Sequence, residues 1–338
     1  KTIWCNEVER MFRTKGMQGF TLYPGKAYIE INVKIYNRTA FPQTFLWWAN
    51  PAVVVNDHYH SVFPPDVNAV FDHGKRDVSS FPIATGVYYK QDYSAGVDIS
   101  KYKNIPVPTS YMAIQSKYDF VGGYEADVQG GLLHVADHHV SPGKKQWTWG
   151  NGDFGKAWDR NLTDEDGPYI ELMTGMYTDN QPDFSWLQPY EEKSWVQYFM
   201  PYSEVGYVKN ATKDVLLNVE LKEDNAHLIL YTTGVNKDVH LLAKDIQGKI
   251  LLDKIIQISP ADPFTVTFPA TGLKEEDIRI EIRDCEGKVM LTYQADKPEI
   301  KPMPDPAKAA KDPKDIASIE QLFLTGLHLE QYRHATYN

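Results

Sequence analysis

The chain has 338 residues, a net charge of −10 and 42% hydrophobic residues, which is enough for two globular domains with real cores. Its acidic balance excludes nucleic acid and anionic membranes as natural partners, and no apolar run reaches the length of a membrane-spanning helix. Cys5 and Cys285 stand far apart in the sequence and give no disulfide framework.

The elements in chain order define three regions. Residues 1–208 hold short apolar runs broken by Gly, Pro and Asn, for example residues 27–36 and 52–55. Helical periodicity is almost absent, so the pattern predicts an all-β domain of sandwich or barrel type. All eight Trp fall in this region, between Trp4 and Trp195. Of the 21 Tyr, only Tyr231, Tyr293, Tyr332 and Tyr337 lie beyond residue 207. Flat apolar rings suit the C–H faces of sugars, and they equally suit a large core. Within the region, residues 169–173 and 194–199 read as strands joined by a polar stretch, and Glu171 places a carboxylate inside the first. That position is costly unless the group is hydrogen-bonded or kept for chemistry.

A second domain is expected over residues 209–298. Short strands recur at even spacing, residues 264–268 and 278–282 alternate, and Gln247-Gly248-Lys249 and Glu286-Gly287-Lys288 read as hairpin turns. About seven strands are counted, the number of an immunoglobulin-like sandwich. His227 and His240 are read there as surface or packing residues. Residues 299–338 read as a Pro- and Lys-rich linker followed by an amphipathic helix, with a stripe of Ile316, Ile319, Phe323 and Leu327 and a cap at Asp312 or Asp315.

The Glu171 strand, Asn180-Gln181-Pro182-Asp183-Phe184, and Leu187-Gln188-Pro189-Tyr190-Glu191-Glu192 resemble the closing signature of the galactose mutarotase-like superfamily. Residues 139–149, with Pro142-Gly143 ahead of Trp147-Thr148-Trp149, are similar to that group's Pro-Gly-x-x-x-aromatic strand. Tyr36-Asn37-Arg38-Thr39, followed by Trp47-Trp48-Ala49-Asn50, resembles its Asn-x-Thr turn and strand. Residues 4–208 look closest to a bacterial family of unknown function that precedes tetratricopeptide repeats. The resemblance implies a mutarotase-like β-supersandwich whose first strands lie upstream of Lys1, a chain that is a piece of a longer protein, and a terminal helix leading toward repeats that recruit protein partners. It also implies a sugar ligand, a mono- or oligosaccharide, with Glu171 as the base at the anomeric centre. The enzyme expected is a carbohydrate epimerase or glycoside hydrolase; the alternative is a non-catalytic glycan-binding or scaffold module.

The family's acid is a His on the strand after the Asn-x-Thr turn, and Trp47-Trp48-Ala49-Asn50 has none. His58 is taken in its place. Trp48, His60, His134, His138, Trp147, Trp149, Asp153, Trp158 and Arg160 are the expected sugar contacts, the last three within a polar loop over residues 150–160. Lys144 and Lys145 read as a solvated turn or as contacts for an anionic sugar. No cofactor is expected, since no phosphate loop or paired-Cys site occurs. A metal at His58 and His60, with Asp66, Asp72 or His73 as third ligand, is the alternative. Asn37, Asn161 and Asn210 open glycosylation sequons. No targeting segment is read, and the cytoplasm is the favoured compartment.

Overall fold

The computed structural model describes residues 1–177, 185–299 and 301–331. The Asn180-Gln181-Pro182-Asp183-Phe184 part of the motif lies outside them. The all-β expectation is met: among the described residues, two seven-stranded, two four-stranded and three two-stranded antiparallel sheets stand beside two α-helices.

The first sheet runs in the order Thr2–Val8, Lys15–Leu22, Ile29–Tyr36, Glu192–Ser203, Gly130–Ala136, Phe120–Glu125, Tyr59–Val62. The second runs Trp48–Ala49, Tyr169–Gly175, Gly143–Thr148, Thr109–Ala113, Ala69–Phe71, Val78–Ser80, with Ala52–Val54 also pairing Tyr169–Gly175. Ile29–Tyr36 shows why such strands form: Ile31, Val33 and Ile35 are buried while the residues between them are not, which is the period of a half-buried strand. Thr109–Ala113 is buried throughout, as befits a central strand.

The sheets pack face to face through polar as well as apolar groups. His134, fully buried in the first sheet, meets the Leu172 carbonyl through Nδ1 at 3.4 Å and Thr174 Oγ1 through Nε2 at 3.0 Å, both in the second. Gln197 Nε2 reaches the same His134 Nε2 at 3.1 Å and also bonds Thr174 Oγ1. Ser61 bonds Gln146 across the same gap. At one end of the sandwich, buried Asn37 donates to the carbonyls of Phe41 at 2.7 Å and Gln188 at 2.9 Å, and its Oδ1 accepts from Thr39. The Asn-x-Thr turn and the Leu-Gln-Pro stretch, 150 residues apart in sequence, are thus one joint.

Residues 210–293 form two four-stranded sheets, and their apolar core is continuous with that of the first region. Tyr231 donates to the Pro201 carbonyl at 3.1 Å and Asn218 to that of Val205 at 2.9 Å. Gly248 and Gly287 take φ values of 88° and 82° at the hairpin turns, where only Gly is unstrained. The linker returns to the first region through Ala307 N to Lys75 O at 2.7 Å. Helix α2 (Ile319–Gln331) then begins later than expected, so Ile316 precedes it. Its first turn is held by Ser318, whose Oγ accepts from Gln321 N at 3.1 Å, rather than by Asp312 or Asp315. Ile319, Phe323 and Leu327 are exposed.

Candidate functional site

The outer face of the second sheet carries the candidate site. In antiparallel strands directly paired residues point to the same side. Glu171 pairs with Trp147 on one flank and Ala52 on the other, and Lys145 pairs with Met173 and Met112. Lys145, Trp147 and Glu171 therefore share a face, opposite to the one that carries Gln146, Leu172 and Thr174 against the first sheet.

Glu171 is half-buried and accepts a hydrogen bond from Asn50 Nδ2 at 3.0 Å. It lines a cleft of about 550 Å³ together with Asn50, Ala52, Leu162, Thr163 and Tyr169. Burial pushes its carboxyl above the ordinary Glu value, against the pull of Lys145 and Asn50. Lys145 is only 1% exposed. Burial brings its ammonium down to about 8, and Glu171 opposes that shift. Its Nζ lies 5.1 Å from the centre of the Trp48 ring, a cation–π distance. Trp48 is itself wedged between Gly143 and Gly175: a Cβ at Gly175 would lie 2.4 Å from the indole, and one at Gly143 2.8 Å. The two lysines are therefore not a solvated turn. They sit inside the central strand Gly143–Thr148, and Lys144 is also 1% exposed, with an ammonium that burial holds near 8.

The expected contacts divide sharply. Trp48, Trp147, Trp149 and Trp158 gather around the Glu171 side of the sheet. The rings of Trp147 and Trp149 meet edge to face at 4.5 Å, and those of Trp149 and Trp158 stack at 4.9 Å and 8°. Asp153, Trp158 and Arg160 lie on a helix, α1 (Asp153–Leu162), where a loop was expected. The helix escaped notice because its buried residues are Gly155 and Asp159, so no inward apolar stripe marks it.

The histidines are elsewhere. His58 is exposed in the turn before Tyr59–Val62, an edge strand of the other sheet, and the described lining of the Glu171 cleft contains no histidine. It is not placed to serve as the acid beside Glu171. His60 is buried, with its ring stacked on Tyr207 at 4.2 Å. His134 is sealed between the sheets, where burial lowers it to about 3, so it touches no ligand. His138 bonds Asp119 at 2.7 Å and faces a cleft between the two regions. Among the described residues, the grouping with metal-ligand proximity is Asp137, His138 and His139, within 4.8 Å of one another. The histidine in the field of Lys145 is His73, which burial and then that lysine lower to about 4. The sequence offered Lys145 only as a solvated turn or a contact for an anionic sugar, and His73 only as a third metal ligand, because nothing local marks either as buried beside Glu171.

The family model described as DUF5107, a domain of unknown function, matches residues 1–202. The chain belongs to that family. A second model, described as the second domain of YphG-like protein, matches residues 210–293. Among solved structures the chain is similar to a TPR-domain containing protein from Parabacteroides distasonis, at 23% identity and TM-score 0.49 over 59% of this chain and 32% of that one. It is also similar to galactose mutarotase-like proteins from Lactobacillus casei (11% identity, TM-score 0.40, 60% of this chain and 70% of that) and Clostridium acetobutylicum (11%, 0.37, 56% and 56%). The chain thus spans about a third of the Parabacteroides protein. The Glu171 cleft lies wholly within the DUF5107 region, as do Lys145 and Trp48.

Proposed function

We propose that this DUF5107 domain binds a reducing sugar on the outer face of its second sheet and interconverts its anomers. The observation that carries the reading is the pairing, on one sheet face, of a desolvated carboxyl, Glu171, with a desolvated ammonium, Lys145, each the other's main opposing charge. Two groups whose environments draw their proton affinities toward neutrality suit proton transfer at pH 7. Glu171 takes the proton of the anomeric hydroxyl as the C1–O5 bond breaks, and the Lys145 ammonium protonates O5. The open-chain aldehyde rotates about C1–C2. On closure the Lys145 amine recovers the O5 proton and Glu171 returns its own to O1, so both groups end as they began. Asn50 orients the carboxylate through its 3.0 Å bond. Lys145 replaces His58 as the acid in this scheme.

The test is anomer-resolved NMR exchange on glucose and galactose with the purified chain. A rate above the buffer-catalysed one, lost in Glu171→Gln, supports the reading. Saturable binding with no rate increase would leave a glycan-binding module and remove the catalytic step.

A further inference from the structure

Helix α1 is built inside out. Phe154, Trp158 and Leu162 fall at every fourth position, so they form one stripe, and all three face solvent, at 59%, 38% and 51% exposure. The residues turned inward are Gly155 and Asp159. A solvated helix ordinarily does the reverse, and an exposed aromatic stripe implies something to cover it.

The stripe is rigid and continuous with the Glu171 cleft. A Cβ on Gly155 would lie 2.0 Å from the Gly150 carbonyl oxygen, and one on Gly152 would lie 2.4 Å from that of Pro106. The helix start is therefore clamped backbone to backbone. Trp149 stacks under Trp158, touches Trp147 edge to face, and donates its indole N–H to Tyr169 Oη at 3.2 Å. Trp147 is the direct strand partner of Glu171, and Leu162 and Tyr169 line the cleft itself. The helical rise makes the Phe154 to Leu162 stripe about 12 Å long, longer than a single hexose ring. Polar groups border it at the cleft end: Thr163, Asp166 and Tyr169.

We propose that this stripe is a second binding segment, and that the ligand of the Glu171 cleft is the reducing end of an oligosaccharide whose following rings lie on Trp158 and Phe154. Ring stacking with hydroxyl-bonding groups alongside recognises a saccharide chain rather than a lipid or an apolar peptide, which would use the aromatics and leave the polar border unpaired. A preorganised aromatic platform adds affinity because its side chains are already ordered. The inference rests on the sugar reading of the Glu171 cleft.

The test compares glucose, galactose and mannose with their β-1,4-linked tetramers by calorimetric titration, for the parent chain, Phe154→Ala, Trp158→Ala and Glu171→Gln. At least one tetramer should bind tenfold or more tighter than its own monomer. Trp158→Ala and Phe154→Ala should both reduce that ratio toward one, and Phe154→Ala, whose ring lies outside the cleft lining, should leave monomer binding and its anomer exchange unchanged. Glu171→Gln should abolish exchange and keep the ratio. A monomer bound as tightly as every tetramer, or a ratio untouched in both aromatic variants, overturns the stripe while the cleft reading survives. Absence of binding by all six sugars overturns both. A dimer that dissociates in Trp158→Ala, with sugar affinities unchanged, assigns the stripe to a second copy and overturns the proposal. Circular dichroism of the variants guards against loss of fold, and Trp158→Phe, which keeps a ring, should restore the ratio.

Discussion

The two faces of the second sheet bury polar groups in opposite ways. On the inner face His134, Thr174 and Gln197 satisfy one another within 3.1 Å or less, and the His is held neutral. On the outer face Glu171 has one amide partner, and Lys145 has a ring and a distant carboxylate. Closed networks of buried polar groups specify packing; buried charges with spare capacity are arranged for a ligand. The difference teaches that burial alone does not mark a site. What marks it is a carboxyl and an ammonium desolvated on one face, since the inner face's Lys144 is buried as deeply as Lys145.

The sharpest way to break this comparison is Glu171→Gln. It should cut the anomer-exchange rate by about 10³-fold, within the range of a lost acid–base group, with the melting temperature unchanged. A stability loss with activity intact would make Glu171 structural. Lys145→Met should cost about 10²-fold and change the pH profile. The parent should lose kcat/KM as Lys145 deprotonates through about 8, and the variant should lack that alkaline limb.

The inner face should respond the other way. His134→Ala strips partners from Thr174 and Gln197, and an unmade buried hydrogen bond costs about 1–3 kcal/mol, read as a lower denaturation midpoint with sugar affinity preserved. The smallest expected effect concerns Lys144. Its folded value of about 8 lies below the free value of 10.5, so the unfolded chain holds more protons between those limits and stability rises with pH there. Lys145 adds a like rise, so Lys144→Met should reduce the slope by roughly half relative to the parent in urea titrations at pH 8 to 10.5.

How much of this was legible follows from which residues obey local rules. Alternation in residues 27–36 and 278–282 gave strands because each buries one face. Glu171 stood out because a carboxylate interrupts an apolar run. Helix α1 was hidden because its apolar stripe points outward, and pattern reading assumes that apolar means inward. Lys145 was hidden because its burial depends on Trp48, nearly 100 residues away in sequence, folding over it. His58 looked suitable by residue type alone, and only the sheet order shows that it belongs to the other layer.

Asn37 carries a consequence for where the protein can be made. Its side-chain amide already donates to the carbonyls of Phe41, Leu187 and Gln188, yet Asn37-Arg38-Thr39 spells an acceptor sequon. A glycan added to that nitrogen during synthesis in a eukaryotic secretory pathway would place a bulky polar group at the joint that closes the sandwich. The chain would then be blocked before its two distant motifs meet, whereas a folded molecule would offer the transferase nothing to modify. Secretion from such a host should give misfolded product that Asn37→Asp does not fully rescue, because the carboxylate keeps the bond to Thr39 and loses all three to the carbonyls.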